Sequence, residues 1–502
     1  MARPTLFRLL LLERRWDTWA IFCPHFEARA RALAEETANP RLAHVTVGRK
    51  TFDRWFCGNW YGRPWKDTGR VLEALLGFPL NELFSPAPDV MSAKMAPHDR
   101  GGVQASLAIS RRWPTSRLFL SAADDVADSW EWLGREVLDG TTAAVQFLPV
   151  SRNGEGVTLR TEHVTSLRGF LRPARRGLLV GVDEGHDDDL RLFVIDSANA
   201  RRALSAPTAG DGTLALPAAY VLDDLTYGIL WSLVQLDDGL LADDQTLDAE
   251  QQVLDTYLSL PRSAVSQLSQ PTLTSVGARW LGSAFCARHI HRRLDRAAEP
   301  PVFWTRERTG EEAALWLFFG HKIAYLKSLA DRYAHAARPL SRVFCIPENE
   351  VQGASPYERI LLFLAISLME MLGIHVRVTT QPEYTSMDGF ALVPGQSAVV
   401  ANWVRTDALW QVDTTTSSPD LRTYRDAFTD ASNRSVMAGP EPETRLRLLA
   451  DYLRLDWPWL IPRCRDLGDC GVAGIIRPRS RLISVDALDA VLRFLGSLAP
   501  RR

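Results

Sequence analysis

Lysine is scarce in this chain. Only positions 50, 66, 94, 322 and 327 carry it, so arginine supplies nearly all of the 58 basic residues. Against 60 acidic residues the formal net charge is −2, which excludes a protein that coats nucleic acid by its overall charge and leaves only local clustering to do so. Cysteine is sparse too: six residues, with no CxxC pair. That argues against a disulfide framework and for reduced thiols in a cytoplasmic protein. Long hydrophobic runs are missing. Leu9–Leu12 is too short for a signal-peptide core. Ile360–Met369 contains Ser367 and stops at Glu370, which predicts a buried helix and no membrane span. There is no P-loop, no H-E-x-x-H and no G-x-S-x-G, and no G-x-G-x-x-G follows a strand. With no catalytic constellation, no cofactor motif and no metal motif, the expectation is a non-enzyme.

What is present is ordinary globular composition, 46% hydrophobic and 24% charged, over 502 residues. That length suits several domains. Charge is uneven. Residues 41–70 carry a local balance of +5, with Arg41, Arg49, Lys50, Arg54, Arg63, Lys66 and Arg70 against Asp53 and Asp67. Inside this stretch, Val45–Gly58 reads VTVGRKTFDRWFCG. Phe52, Trp55 and Phe56 share one helical face, and Arg49, Lys50, Asp53, Arg54 and Cys57 occupy the other. Gly48 stands at the N-cap position and Gly58-Asn59 supplies a stop. The spacing therefore predicts a short helix, aromatic inside and cationic outside, able to offer its first turns to a phosphate-lined groove.

Periodicity divides the rest. Residues 5–36 read as two helices, broken at Asn39-Pro40. A helix carrying Val71, Leu72, Leu75 and Leu76 ends at Gly77, a short one holds Leu80 and Leu83, and a linker runs from 85 to 102. Residues 103–204 read as an α/β unit, with strands near 117–121, 143–150, 177–182 and 190–195 and a helix at 128–138. Residues 215–338 read as helical almost throughout. Residues 341–438 alternate again, with strands at 343–346 and 375–379, a buried helix at 356–373 and a hairpin at 390–402. Residues 441–502 close with helices. No internal repeat is found at solenoid periods.

Residues 16–86 order an amphipathic helix, a basic helix with TF-x-RW-x-x-G, a proline-containing turn and V-L-x-x-L-L-G-x-P-x-x-x-L-F. This order resembles lambda-repressor-like (XRE-type) helix-turn-helix regulators, and more narrowly long actinobacterial members with a large C-terminal regulatory region. The resemblance implies a DNA-binding domain over 1–90. By position, Arg49, Lys50, Thr51 and Arg54 would face DNA, and Arg63 and Lys66 would contact phosphates. Two features depart from the pattern. The connection Asn39–Val47 is longer than a three- or four-residue turn, and Gly48 replaces the usual capping Ser or Thr.

The stretches 287–326, 344–351 and 389–413 are similar to the regulatory region of the same group, and the last resembles a degenerate phospholipase-D-like module. No H-x-K-x₄-D occurs, so such a module would be catalytically dead, its cleft free for an effector. Glu348, Trp403, Arg405, Trp410 and Asp413 are the candidate pocket, since aromatic walls with convergent polar groups suit a small molecule; aromatics serve a core equally well. Cys286, His289 and His291 suggest a metal site, but His291 lies round the helix from the others and no fourth ligand is evident. A basic helix end explains them as well. Asp223-Asp224, Asp237-Asp238 and Asp243-Asp244 are similar to Mg²⁺-diphosphate motifs, yet no second motif accompanies them, and a solvated acidic face is the expectation.

The fold expected is thus multidomain and mainly α with α/β portions: an N-terminal helix-turn-helix domain, an α/β unit, a helical middle, a second α/β unit and a helical C-terminus. The function expected is a cytoplasmic transcriptional regulator on double-stranded operator DNA. One such domain of modest charge binds weakly, which calls for a homodimer or higher oligomer, with a small-molecule effector shifting its arrangement. The alternatives are a protein-contact role for the helical bundle, or an enzyme with a DNA-binding appendage.

Overall fold

Phe7, Phe22, Phe26, Phe52 and Trp55 are buried in one cluster in the computed structural model of the chain. They come from three helices that no single one could bury alone. The structure describes residues 5–13, 16, 18–37, 39–57, 64–78, 80–85, 105, 108–113, 116–119, 128–153, 156–159, 176–184, 190–204, 214–257, 263–264, 272–295, 297–406 and 410–499. The chain divides into two compact units, residues 1–112 with 120–126, and residues 113–119 with 127–502. The segments 215–338, 341–438 and 441–502 lie together in the second unit, with most of 103–204. The linker expected at 85–102 falls almost wholly outside the described residues.

The first unit is helical: α1 (Leu6–Glu13), α2 (Trp19–Glu36), α3 (Arg49–Phe56), α4 (Lys66–Leu76) and α5 (Leu80–Leu83). Between α2 and α3 a 3₁₀ turn, Pro40–His44, is capped by Asn39, whose Oδ1 accepts the Arg41 N–H at 3.3 Å. Proline at its first position fits, because that N–H would have no partner in the turn. Gly77 ends α4 at φ 80°, a left-handed conformation that costs glycine least.

The second unit is built on two seven-stranded sheets around buried helices. The first sheet runs β1 (Ser116–Phe119), β2 (Asp128–Trp132), β3 (Thr141–Asn153), β4 (Gly156–Leu159) and β7 (Leu214–Pro217). β5 (Gly177–Glu184) pairs in parallel with β3 and antiparallel with β6 (Leu190–Asp196). The helix expected at 128–138 is instead strand β2. Trp130 and Trp132 alternate onto one buried face, a period of two that outweighs the strand-disfavouring Asp128 and Glu131 beside them.

After α6 (Ser197–Leu204), the central helix α7 (Asp224–Ala242) is apolar on nearly every side and buried. Asp223 and Thr226 form a reciprocal capping box at its start, with bonds of 3.0 and 2.9 Å. α8 (Asp244–Tyr257), strand β8 (Ser263–Ala264) and α9 (Ser275–Leu294) follow.

The second sheet has the order β11-β10-β9-β12-β13-β14-β8. Three parallel strands, β9 (Val302–Thr305), β10 (Ser341–Cys345) and β11 (His375–Thr379), are followed in the sheet by the antiparallel β12 (Phe390–Val393), β13 (Ser397–Asn402) and β14 (Gln411–Thr415). β9 corrects the helical reading of 215–338. It is only four residues long, shorter than any periodicity window, and it joins the sheet of the following segment. α10 (Gly310–Phe318) and α11 (Gly320–Tyr333) connect β9 to β10. α12 (Glu348–Gly353) and α13 (Pro356–Met371) connect β10 to β11, as a parallel pair requires. α13 is buried along most of its length, with Pro356 at its first position. It approaches α10 so closely that a Cβ on Gly310 would meet the Glu358 carbonyl oxygen at 2.0 Å.

α14 (Ser418–Asn433) covers one face of this sheet. α15 (Pro442–Tyr452), α16 (Trp457–Cys470), α17 (Val472–Ile475) and α18 (Asp486–Ser497) close the chain.

The aspartates expected on a solvated face are partly internal. Asp237 is fully buried, takes the buried Arg176 at 2.5 Å and accepts the Arg479 and Ser480 N–H groups. These partners lie 61 to 243 residues away in sequence, so no local pattern announces them. Among the described residues no helix is long and apolar enough to cross a membrane.

Candidate functional sites

Two places in the described structure gather charge without an evident structural need for all of it. The first is α3. Its N-cap Gly48 contributes no side-chain bond, and its carbonyl receives the Thr51 and Phe52 N–H groups at 2.9 and 3.0 Å. Phe52 packs at a tilt against Phe22 at 5.0 Å, and Trp55 meets Phe7 edge-on at 5.8 Å. Trp19 Nε1 donates to the Val47 carbonyl at 2.7 Å and fixes the chain just before the helix. With that side locked inward, Arg49, Lys50, Thr51 and Arg54 all point to solvent. Arg49 reaches Asp53 at 3.9 Å, but the Arg49 side chain is 79% exposed. Such a pair is worth little and leaves Arg49 available.

Lys66 is exposed at the first turn of α4, beside Trp65, which is 87% exposed. Arg63 lies outside the described residues.

The second place is a cavity of about 50 Å³ in the C-terminal unit, between the second sheet and helices α9, α10 and α11. β9 delivers Phe303 and Thr305, and the turn beyond it delivers Arg306 and Glu307. Trp316 comes from α10, Lys322 and Tyr325 from α11, Arg342 from β10, and Trp403 from the turn after β13. The Lys322 ammonium sits 3.5 Å from the Trp316 ring centre, 3.4 Å from that of Trp403 and 3.5 Å from Glu307 Oε1. Two desolvated indole faces are a strong cation–π setting. Trp316 Nε1 donates to the same Glu307 oxygen at 2.6 Å. Arg342 Nη1 donates to Thr305 Oγ1 at 2.8 Å, and its guanidinium lies over Phe303 at 4.6 Å.

Burial pushes the Lys322 amine down from 10.5 to about 7, against the pull of Glu307 and helped by Arg342. Burial likewise pushes Tyr325 and the Cys286 thiol up to about 12, so both stay neutral. A lysine lowered on folding leaves the unfolded chain holding the extra proton between about pH 7 and 10, so its contribution to stability grows as pH rises through that window. Lys322→Met removes the group, and the upward slope of unfolding free energy between those pH values is expected to flatten. Calorimetry of both proteins across pH checks this.

The five residues selected from sequence for a pocket do not all meet. Trp403 lines the cavity. Arg405 stands in the following turn, pairs with Glu312 at 2.7 Å and holds φ 50°, a left-handed conformation unusual for arginine. Glu348 is exposed on α12 and paired with Arg454 at 3.0 Å. Trp410 is buried against Phe285 at 4.8 Å. Asp413 lies on β14 opposite Val400. None of these last three lines the cavity.

Arg306, Glu307, Trp316, Lys322 and Arg342 were not evident from sequence. One signal was available: Lys322 is among the few lysines, and it stands in an otherwise apolar helical stretch. Cys286 and His289 are buried in α9, where the thiol faces the Asn402 carbonyl and the imidazole lies on Phe285, while His291 faces Tyr325. Comparison of the chain with protein families, curated proteins and solved structures finds no match.

Proposed function

We propose that the chain is a sequence-specific DNA-binding transcriptional regulator of the lambda-repressor-like helix-turn-helix type, acting in the cytoplasm. The observation that carries this reading is α3. Its aromatic side is held in the core while Arg49, Lys50, Thr51 and Arg54 face outward, with Asp53 the only acid among them. Arginine and lysine on such a face supply a salt-dependent phosphate attraction, and one or two side chains read base edges in the major groove. Lys66 at the start of α4 adds a phosphate contact. The protein acts as a homodimer or higher oligomer on a two-fold or tandem operator. The C-terminal unit senses an effector or sets the spacing of the DNA-binding units, its second sheet serving as a degenerate phospholipase-D-like module without turnover.

The test is footprinting of the DNA upstream of the gene with the full chain. Arg49→Glu/Arg54→Glu is expected to weaken specific binding by about 100-fold or more while helicity stays unchanged. Protection that survives the double reversal refutes the assignment of α3.

A second reading has one specific support. Trp65 is almost fully exposed, and tryptophan is a frequent anchor of protein interfaces. If the charge reversal leaves regulation intact and Trp65→Ala abolishes it, the helical unit contacts a protein partner.

A further inference from the structure

The cavity between the second sheet and helices α9 to α11 carries more positive than negative charge. Arg306, Lys322 and Arg342 line it, and Glu307 is the one carboxylate among the lining residues. Asp388 stands 3.8 Å from Arg306 and offsets one cation, so one positive charge is left over when Lys322 is protonated. Buried surplus charge is costly unless something neutralises it.

The donors are also under-used. Arg342 is 95% buried, commits Nη1 to Thr305 and hydrogen-bonds the Tyr325 hydroxyl, and its Nε is buried with no acceptor among the described residues. Arg306 Nε is buried in the same condition. An unpaired guanidinium Nε is a charge-assisted donor that a carboxylate oxygen can accept. The remaining walls are mostly apolar or aromatic, among them Ile290, Phe303, Trp316, Trp403 and Val404, with the Ser283 and Thr305 hydroxyls between them. They suit a carbon body and not a multiply charged one.

We propose that this cavity binds a small carboxylate monoanion, held by the Nε of Arg342 and by Arg306, with its charge balanced by Lys322. One surplus positive charge matches a monoanion, whereas a phosphate dianion would leave an uncompensated negative charge. The volume, room for roughly four waters, sets the size at about one to three carbons, from formate to propionate. The site goes beyond the DNA-binding reading and does not depend on it.

The experiment is thermal unfolding and titration calorimetry of the full chain with formate, acetate and propionate, against chloride, sulfate and phosphate at matched ionic strength. At least one carboxylate is expected to raise the unfolding temperature of the C-terminal unit saturably and to give a one-site isotherm. Chloride, sulfate and phosphate are expected to do neither. Arg342→Gln is expected to abolish the effect, and Arg306→Gln, at the partly exposed mouth, to weaken affinity about tenfold, in line with loss of one charge-assisted bond. If Arg342→Gln fails to fold, Arg306→Gln decides. The proposal is overturned if no carboxylate acts beyond chloride, if sulfate or phosphate acts in its place, or if the effect is unchanged in the variants that fold. Because no readout involves DNA, failure here leaves the regulator reading standing, and failure of that reading leaves this one standing.

Discussion

Trp55→Ala is expected to remove a large part of the stability of the N-terminal helical unit in the full-length chain. The indole is buried, edge-on to Phe7 at 5.8 Å and 5.6 Å from Phe84, so it joins α1, α3 and the end of α5. Truncating a buried tryptophan to alanine costs about 3–5 kcal/mol. A unit of this length holds on the order of 5–10 kcal/mol in total. α3 has eight residues, below the roughly 12–15 at which an isolated helix is even marginal. It exists because Phe52 and Trp55 are docked. Far-ultraviolet circular dichroism should show an early helical transition, and DNA binding should be lost at the temperature where that transition occurs. Arg49→Ala/Arg54→Ala touches only exposed side chains and should leave the melt unchanged. A Trp55→Ala protein with wild-type helicity and melting would contradict the packing described.

Arg445→Met is expected to destabilise the C-terminal unit by about 3–5 kcal/mol. Arg445, on α15, is buried and bonds both oxygens of the buried Glu370 at the end of α13, at 3.1 and 3.2 Å from Nε. Its Nη1 donates to the carbonyls of Gly439 and Pro440 at 3.0 and 2.6 Å. Removing the guanidinium leaves Glu370 with the Val376 N–H at 2.9 Å as its remaining hydrogen bond among those described, and leaves a charge buried without a counter-ion. Arg445→Met/Glu370→Gln, which keeps an acceptor for Val376 and removes the charge, should recover part of the loss. Urea unfolding of the two variants measures the difference. Equal midpoints for Arg445→Met and the wild type would show that the pair contributes nothing.

Elements whose sequence repeats on their own period were legible. Phe52, Trp55 and Phe56 marked the inner face of α3, and the apolar run 360–369 marked buried α13. The β12–β13 hairpin showed as two apolar runs around Pro394-Gly395, the glycine at φ 71°. β2 and β9 were hidden for different reasons. β2 carries the strand-disfavouring Asp128 and Glu131 beside its tryptophans, and β9 is too short to show a period.

The cavity was hidden because its residues come from seven separate elements and the turns beside them, and only the fold decides which of the many arginines turn inward. Trp403 was selected for being an aromatic in the right segment; Trp410, a few residues on, meets the same description and packs in the core. Sequence supplies residue types but not facing directions, and tertiary pairing supplies those. The Asp237–Arg176 pair makes the same point, since a run of acids on a helix looks solvated until an arginine from just before a distant strand is placed against it.

The proposed reading of DNA by α3 rests on its exposed cations. Its most direct test is the salt dependence of binding of the full chain to the DNA upstream of its gene, with wild type and Arg49→Ala/Arg54→Ala measured side by side. The prediction is tight, salt-steep binding by the wild type, with a log–log slope that falls by about 2 in the double mutant as two phosphate-neutralising charges are lost. Equal, weak binding with the same slope for both proteins would contradict it.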